Sequence, residues 1–135
     1  MTIDPKYLHS DISDSVLKAF FVVRDSLPYD LTVDIYKRAL DLEMKSMGLS
    51  VESDKEVNII FKDKIIGSFC IDFVVNDSII ILAIQNDIPS EHQVSNAKSQ
   101  LRLTKYEVCL ILNFSADTLK QFSRILLTNE FKKVK

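Results

Sequence analysis

Residues 69–85 read FCIDFVVNDSIIILAIQ, and this stretch determines the fold. The pattern predicts two strands joined at Asn76-Asp77. The second strand, Ile79–Ile84, is apolar throughout, so we expect both of its faces to be buried in the middle of a sheet. The first strand carries one acid, Asp72, between two apolar residues. An acid in such a run is paired, binds a metal, or lies near water at the end of the sheet.

The remaining elements follow from the spacing of apolar residues, which is helical before residue 50 and mostly extended after it. Helices are predicted from residue 10 or 11 to about 25, from 30 to 48 and from 91 to about 104, and strands at 57–61, 65–75, 79–84, 107–114 and 122–127. A helix precedes the fourth strand, so we expect that strand to be parallel to a neighbour. The order α-α-β-β-β-α-β-β predicts an α/β fold with a central mixed sheet flanked by helices.

The second helix contains both apolar and charged residues at helical spacing. We expect its inner side to carry Leu31, Ile35, Ala39, Leu42 and Met47. The charged residues on the other side are most simply a solvated surface, and they are Asp34, Lys37, Arg38, Asp41 and Lys45. Gly48 should end this helix, with Leu49 folded back on its last turn.

Length and composition limit the classes of function. A chain of 135 residues predicts a single domain spanning residues 1–135. The formal net charge is −2, from 17 Lys+Arg and 19 Asp+Glu, so overall charge does not attract nucleic acid or an anionic membrane. Cys70 and Cys109 lie in apolar runs and are predicted to be small core residues, not a disulfide or a metal pair. The sequence shows no signal peptide and no long apolar span, which favours a cytoplasmic or otherwise intracellular protein without a membrane partner.

Several short segments occur in a characteristic order along the chain. They are residues 36–40 (YKRAL), 47–49 (MGL), 61–67 (FKDKIIG), 71–75 (IDFVV) and 110–114 (LILNF), with His92 on the third helix. Together these segments resemble the GxxExxY proteins, a branch of the PD-(D/E)XK nuclease-like superfamily. The resemblance runs from about Val16 to Leu127, and it implies a PD-(D/E)XK-like core.

The resemblance also implies which positions would form a nuclease site. In such nucleases an Asp on the second strand of the meander, and a Glu and a Lys on the next strand, act with Mg²⁺. A Glu on an earlier helix and a Gln on the following helix usually complete the site. Carried over position by position, the Asp is kept as Asp72. The other four positions hold Val33, Leu82, Ile84 and Ser95, so one carboxylate is left in a site otherwise lined with hydrocarbon.

These replacements predict a catalytically inactive nuclease-like domain that needs no cofactor. It would act as a binding or structural subunit in an oligomer or a larger assembly, with a protein or a second copy of itself as partner. Apolar residues available for such a surface are Phe20 or Phe21, Ile88 and Leu103. Asp72 would then be a relic acid, hydrogen-bonded to the backbone or to a donor at a helix end.

Two alternatives remain open. A nucleic-acid-binding protein would use a basic stripe of Lys98, Arg102 and Lys105, extended by Arg124, Lys132, Lys133 and Lys135 if these fold near it. A solvated helix face is the simpler interpretation of the stripe. A Mg²⁺-dependent nuclease would need migrated ligands around Asp72, for which the candidates are Asp34, Gln85, Asp87, Glu91 and His92.

Overall fold

Five strands form one mixed sheet in the order β1-β2-β3-β4-β5, as seen in a computed structural model that describes residues 8–85, 91–115 and 121–132. The strands are β1 Val51–Phe61, β2 Lys64–Val75, β3 Ile79–Ile84, β4 Val108–Asn113 and β5 Phe122–Leu126. The helices are α1 Ser10–Ser26, α2 Val33–Ser46 and α3 Glu91–Arg102, and a short 3-10 helix spans Asn129–Phe131. The predicted α/β class and element order are confirmed.

The sheet is antiparallel except at its centre. β1 pairs with β2, β2 with β3, and β4 with β5 in antiparallel fashion, whereas β3 and β4 are parallel. The parallel pair follows from the crossover through α3, as the sequence predicts. Residues 79–82 of β3 are buried, and the last two residues of the strand are half-buried.

Side chains from the two faces of the sheet form two apolar clusters. The first lies against α1 and α2 and includes Phe20, Leu40 and Ile81. The second lies against α3 and includes Leu82 and Leu101. Because successive residues of a strand point to opposite faces, the alternation along β3 supplies both clusters. Within the described residues, no helix combines the length and the apolar character needed to cross a membrane.

The turns form where short polar residues or glycine permit a left-handed backbone. Asn76 and Asp77 have φ of 51° and 49°, so the predicted junction between β2 and β3 is confirmed. Gly48 ends α2 with φ 86°, and the Leu49 N–H donates to the Met44 carbonyl at 3.2 Å. This is a Schellman cap, in which glycine takes the left-handed position without a steric penalty.

The rotation of α2 differs from the prediction. Its buried residues are Tyr36, Leu40 and Met44, whereas Ile35 and Leu42 are exposed. The cause is the Tyr36 ring, which stacks on Phe114 with centroids 5.0 Å apart. The Tyr36 hydroxyl also donates to the Pro28 carbonyl at 2.6 Å. These contacts fix which side of the helix faces the sheet.

Neither phenylalanine of the Phe20-Phe21 pair is a free surface residue. Phe20 is fully buried, and the Phe21 ring contacts the Phe20 ring at 5.2 Å and the Phe122 ring at 6.1 Å. The prediction that one of them marks a partner surface is therefore wrong, because an aromatic cluster at the α1 side of the sheet takes up both rings. Leu103 is exposed as predicted, and Ile88 lies outside the described residues.

The two cysteines have different environments. Cys109 is buried on β4, in agreement with the prediction, but Cys70 is exposed. The difference arises because β2 pairs with β3 only through Phe73–Val75, so the earlier part of β2 leaves the sheet and runs beside β1 alone. For the same reason Phe61 of β1 is exposed, although its alternation with Val57 and Ile59 predicts a half-buried side chain.

Candidate functional site

Asp72 lies at the point where β2 separates from β3. The ladder between these strands ends at the pair Phe73 and Ile81, so the Ala83 N–H has no backbone partner on β2. Instead this N–H donates to Oδ2 of Asp72 at 2.9 Å. The carboxylate therefore takes the place of a missing strand carbonyl, in keeping with the expected hydrogen bond to the backbone.

The second oxygen of Asp72 is bound by a lysine from α2. Lys37 Nζ donates to Oδ1 of Asp72 at 3.0 Å, and the two side chains are only 21% and 18% exposed. Burial lowers the pKa of Lys37, but the hydrogen bond to Asp72 and the charges of Asp72, Asp54 and Asp34 together outweigh it, so this pKa lies above its ordinary value. The prediction that Lys37 belongs to a solvated surface is wrong. One signal for this contact was available in the sequence: pairing with a cation is one of the ways in which an acid is accommodated in an apolar strand.

A cleft of about 320 Å³ opens beside this ion pair, between α2 and β1. Lys37 Nζ also lies 3.7 Å from Asp54, an exposed residue of β1. The Ser53 hydroxyl donates to Asp41 at 3.1 Å across the cleft. The cleft is lined by Lys37, Arg38, Asp41, Leu42, Ser53, Asp54 and Phe73. Its acids are thus interspersed with cations, so their negative charge is largely compensated.

The four positions where the resemblance implies polar site residues carry no charged side chain. Leu82 is 9% exposed and belongs to the apolar cluster against α3, which Ile84 also contacts. Val33 packs on the other cluster, against α1 and α2. Ser95 is exposed on α3. The fold therefore uses three of the four positions for packing.

Comparison with known proteins identifies the family. The sequence model described as the PD-(D/E)XK nuclease superfamily matches residues 10–125. The chain belongs to the PD-(D/E)XK nuclease superfamily. The match includes Asp72 and covers the sheet except for the last residue of β5, and the mixed sheet flanked by helices agrees with such a fold. A search of curated proteins and a search of solved structures found no match.

Members of this superfamily with nuclease activity use Mg²⁺, so the donors near Asp72 decide whether that ion fits. Mg²⁺ requires oxygen ligands in near-octahedral geometry. Both oxygens of Asp72 already accept hydrogen bonds, one of them from a cation, and Leu82 and Ile84 offer only carbon. Residues 8–85, 91–115 and 121–132 contain no group of three or more His, Cys, Asp and Glu arranged to bind a metal. The described residues therefore do not suit Mg²⁺.

None of the candidate migrated ligands that the structure describes joins Asp72 in a group of three or more His, Cys, Asp and Glu. Asp34 is exposed on α2, and Glu91 and His92 are exposed at the start of α3. Gln85 Nε2 donates to the Leu31 carbonyl at 2.6 Å. Asp87 lies outside the described residues.

The basic stripe extends past the end of α3. Lys98 and Arg102 are exposed on the helix, whereas Lys105 follows it and pairs with Asp77 at 2.8 Å. Lys132 joins this region, since its Nζ donates to the carbonyls of Thr104 and Tyr106. Arg124 instead donates to the Leu8 carbonyl at 2.6 Å, next to α1. Lys133 and Lys135 lie outside the described residues.

Proposed function

We propose that this chain is a catalytically inactive PD-(D/E)XK domain that acts by binding, as a subunit of an oligomer or a larger assembly. One observation carries the proposal: Leu82 packs in the core while Asp72, the remaining acid of the implied site, is neutralised by Lys37. A nuclease of this superfamily needs charge at these positions, and this chain has hydrocarbon and an internal ion pair.

Energetics favours this arrangement over a retained active site. Fully burying a Leu or Ile side chain stabilises a fold by about 1.5–3 kcal/mol. Replacing buried charges with apolar residues of similar volume is often neutral or stabilising. Leu82 and Ile84 therefore contribute to stability in this chain. A binding role does not require charged residues at these two positions.

A cleavage assay tests the proposal. Purified protein is incubated with Mg²⁺ or Mn²⁺ and with double-stranded DNA, single-stranded DNA or RNA. The variants are Asp72→Ala and, as a matched control, Asp63→Ala in the turn between β1 and β2. We expect the natural protein and both variants to show the same background level of cleavage. Cleavage that disappears in Asp72→Ala and persists in Asp63→Ala would contradict the proposal.

We further infer that the chain belongs to the GxxExxY branch, forms one domain over residues 1–135 and acts inside the cell without a cofactor. The branch assignment is supported by the segments at residues 36–40 and 61–67. An intracellular location is supported by Cys70 and Cys109, which are both free thiols.

A second candidate function is nucleic-acid binding, favoured by the position of Lys132 next to the end of α3. Lys132 brings a fourth cation to the stripe of Lys98, Arg102 and Lys105. Fluorescence anisotropy with a labelled oligonucleotide over a series of salt concentrations tests it. The candidate predicts affinity that falls with salt and is lost in Lys98→Glu/Arg102→Glu. Lys18→Glu on α1 is the matched control and should bind normally. Equal binding by both variants would reject this function.

A further inference from the structure

The chain that follows β5 crosses the loop between α3 and β4. Leu127 extends the pairing of β5 with β4, because its N–H donates to the Glu107 carbonyl at 2.8 Å. Residues 128–132 come next and include the short 3-10 helix. We call residues 128–132 the strap and residues 104–107 the α3–β4 loop. The strap therefore lies beyond the ladder of the sheet and contacts the domain through this loop.

Three of the described hydrogen bonds between the strap and the α3–β4 loop involve a charged group. Lys132 Nζ donates to the carbonyls of Thr104 at 2.9 Å and Tyr106 at 2.7 Å. The Asn129 N–H donates to Oε2 of Glu107 at 2.8 Å. Such bonds are roughly twice as strong as those between neutral groups. Lys132 makes two of the three, so its side chain provides the largest part of this polar attachment.

Apolar packing adds little to the attachment of the strap. The 3-10 helix has no buried residue, and Phe131 is 71% exposed. A cleft of about 210 Å³ is lined by Leu126, Leu127, Thr128 and Phe131. The Thr128 hydroxyl oxygen is buried without a hydrogen bond among the described residues. Segments with few buried apolar contacts open most easily, and an unsatisfied buried oxygen destabilises the closed form further.

The α3–β4 loop has anchors that do not involve the strap. Lys105 Nζ lies 2.8 Å from Oδ2 of Asp77, and the Tyr106 hydroxyl donates to Oδ1 of Asp77 at 2.8 Å. Tyr106 is only 4% exposed and belongs to the apolar cluster against α3. These contacts use side chains, whereas Lys132 binds backbone carbonyls. The loop can therefore stay in place when the strap detaches.

We propose that the strap opens and closes while the rest of the domain stays folded, and that the Lys132 side chain holds it closed. The movement begins after Leu127, so no bond of the sheet has to break. In the open form water hydrates the carbonyls of Thr104 and Tyr106. Burial lowers the pKa of Lys132 although the charge of Glu107 opposes this, so closing costs the ammonium part of its hydration. This cost keeps the attachment weak enough for local opening.

Native-state amide hydrogen exchange, followed by NMR at increasing urea concentrations, tests the movement of the strap. We expect the amides of Asn129, Phe131 and Lys132 to be protected, but about 100-fold less than the amides of β3 and β4. Low urea should not speed their exchange, because local opening exposes little surface, whereas it should speed exchange in the central strands. Strap amides without any protection, or with the protection and urea response of the central strands, would overturn the proposal.

Two variants separate opening of the strap from unfolding of the domain. Lys132→Met removes both donors and should speed exchange of the strap amides at least about fivefold. Gly48→Ala is the control, because it strains the backbone at the end of α2, where φ is +86°. It should speed exchange in the central strands about fivefold through global unfolding and change the strap amides less than about twofold. A smaller effect of Lys132→Met on the strap, or a Gly48→Ala variant that speeds strap and central strands alike, would overturn the proposal.

Discussion

The ion pair between Lys37 and Asp72 should be the most stabilising charge interaction among the described ion pairs. Replacing Lys37 with methionine removes the ammonium and keeps most of the apolar stem. The Asp72 carboxylate would then be left 18% exposed, with Ala83 N–H as its only hydrogen-bond donor among the described residues. An unpaired, mostly buried charge is unfavourable, so the change should destabilise the fold.

The magnitude follows from the geometry. A hydrogen bond to a charged group contributes about 1.5–3 kcal/mol, and the distance of 3.0 Å between Lys37 Nζ and Asp72 Oδ1 is close to ideal. We expect Lys37→Met to lower the free energy of unfolding by about 2–3 kcal/mol. Asp72→Asn keeps an acceptor for the Ala83 N–H and should cost about 1–2 kcal/mol.

Urea unfolding of the two single variants and the double variant measures the coupling between the residues. We expect a coupling energy of about 1.5 kcal/mol. The control is the pair of Lys45 and Asp41, which has the same distance of 3.0 Å but leaves Lys45 53% exposed. Lys45→Met should cost no more than about 0.5 kcal/mol, because an exposed helical pair contributes little.

The pH dependence adds a second signature of the same pair. Burial lowers the pKa of Lys37, but the nearby acids, chiefly Asp72 with Asp54 and Asp34, outweigh this effect and hold the pKa above its ordinary value of 10.5. Its contribution to stability is therefore complete below that value and declines as pH rises through the folded pKa. A coupling energy below about 0.5 kcal/mol, or stabilisation by Asp72→Asn, would refute the reasoning. Stabilisation is the result expected if Asp72 were a strained functional ligand.

Three further predictions concern packing, backbone and thiol chemistry. Leu82→Glu places a carboxylate in an apolar cluster and should lower the free energy of unfolding by about 3 kcal/mol, and a change below about 0.5 kcal/mol in urea denaturation would contradict this. Gly48→Ala should cost about 1 kcal/mol in the same assay, because φ is +86° and an added Cβ would meet no atom within 4 Å, so only backbone strain acts. A thiol reagent should modify Cys70 and spare Cys109 in the folded protein, since burial raises the pKa of Cys109 to about 12. Mass spectrometry that shows rapid modification of both would contradict it.

Local patterns were enough to predict the element types and their order. The apolar run Ile79–Ile84 identifies a central strand, and the turn residues and Gly48 locate chain reversals that the backbone then adopts. The rotation of α2 was not predictable in the same way. It depends on Tyr36 stacking on Phe114. These residues are far apart in sequence, so the spacing of apolar residues within α2 cannot predict their contact.

The candidate site was predicted only in part, for a similar reason. The sequence identified Asp72 and an expected backbone donor, which proved to be Ala83. It did not identify Lys37, because spacing on a helix cannot show that a lysine reaches a strand residue of another layer. It also placed Cys70 in the core, because alternation along β2 does not reveal that the strand has left the sheet.

The central claim is that apolar residues and an internal ion pair occupy the place of a metal site. Crystals of the protein soaked in Mn²⁺, measured by anomalous diffraction, test this claim most directly. The account predicts no ordered Mn²⁺ in contact with the Asp72 carboxylate, and Lys37 still bound to its Oδ1. An ordered ion coordinated by Asp72 and by further side chains, with Lys37 displaced, would contradict it.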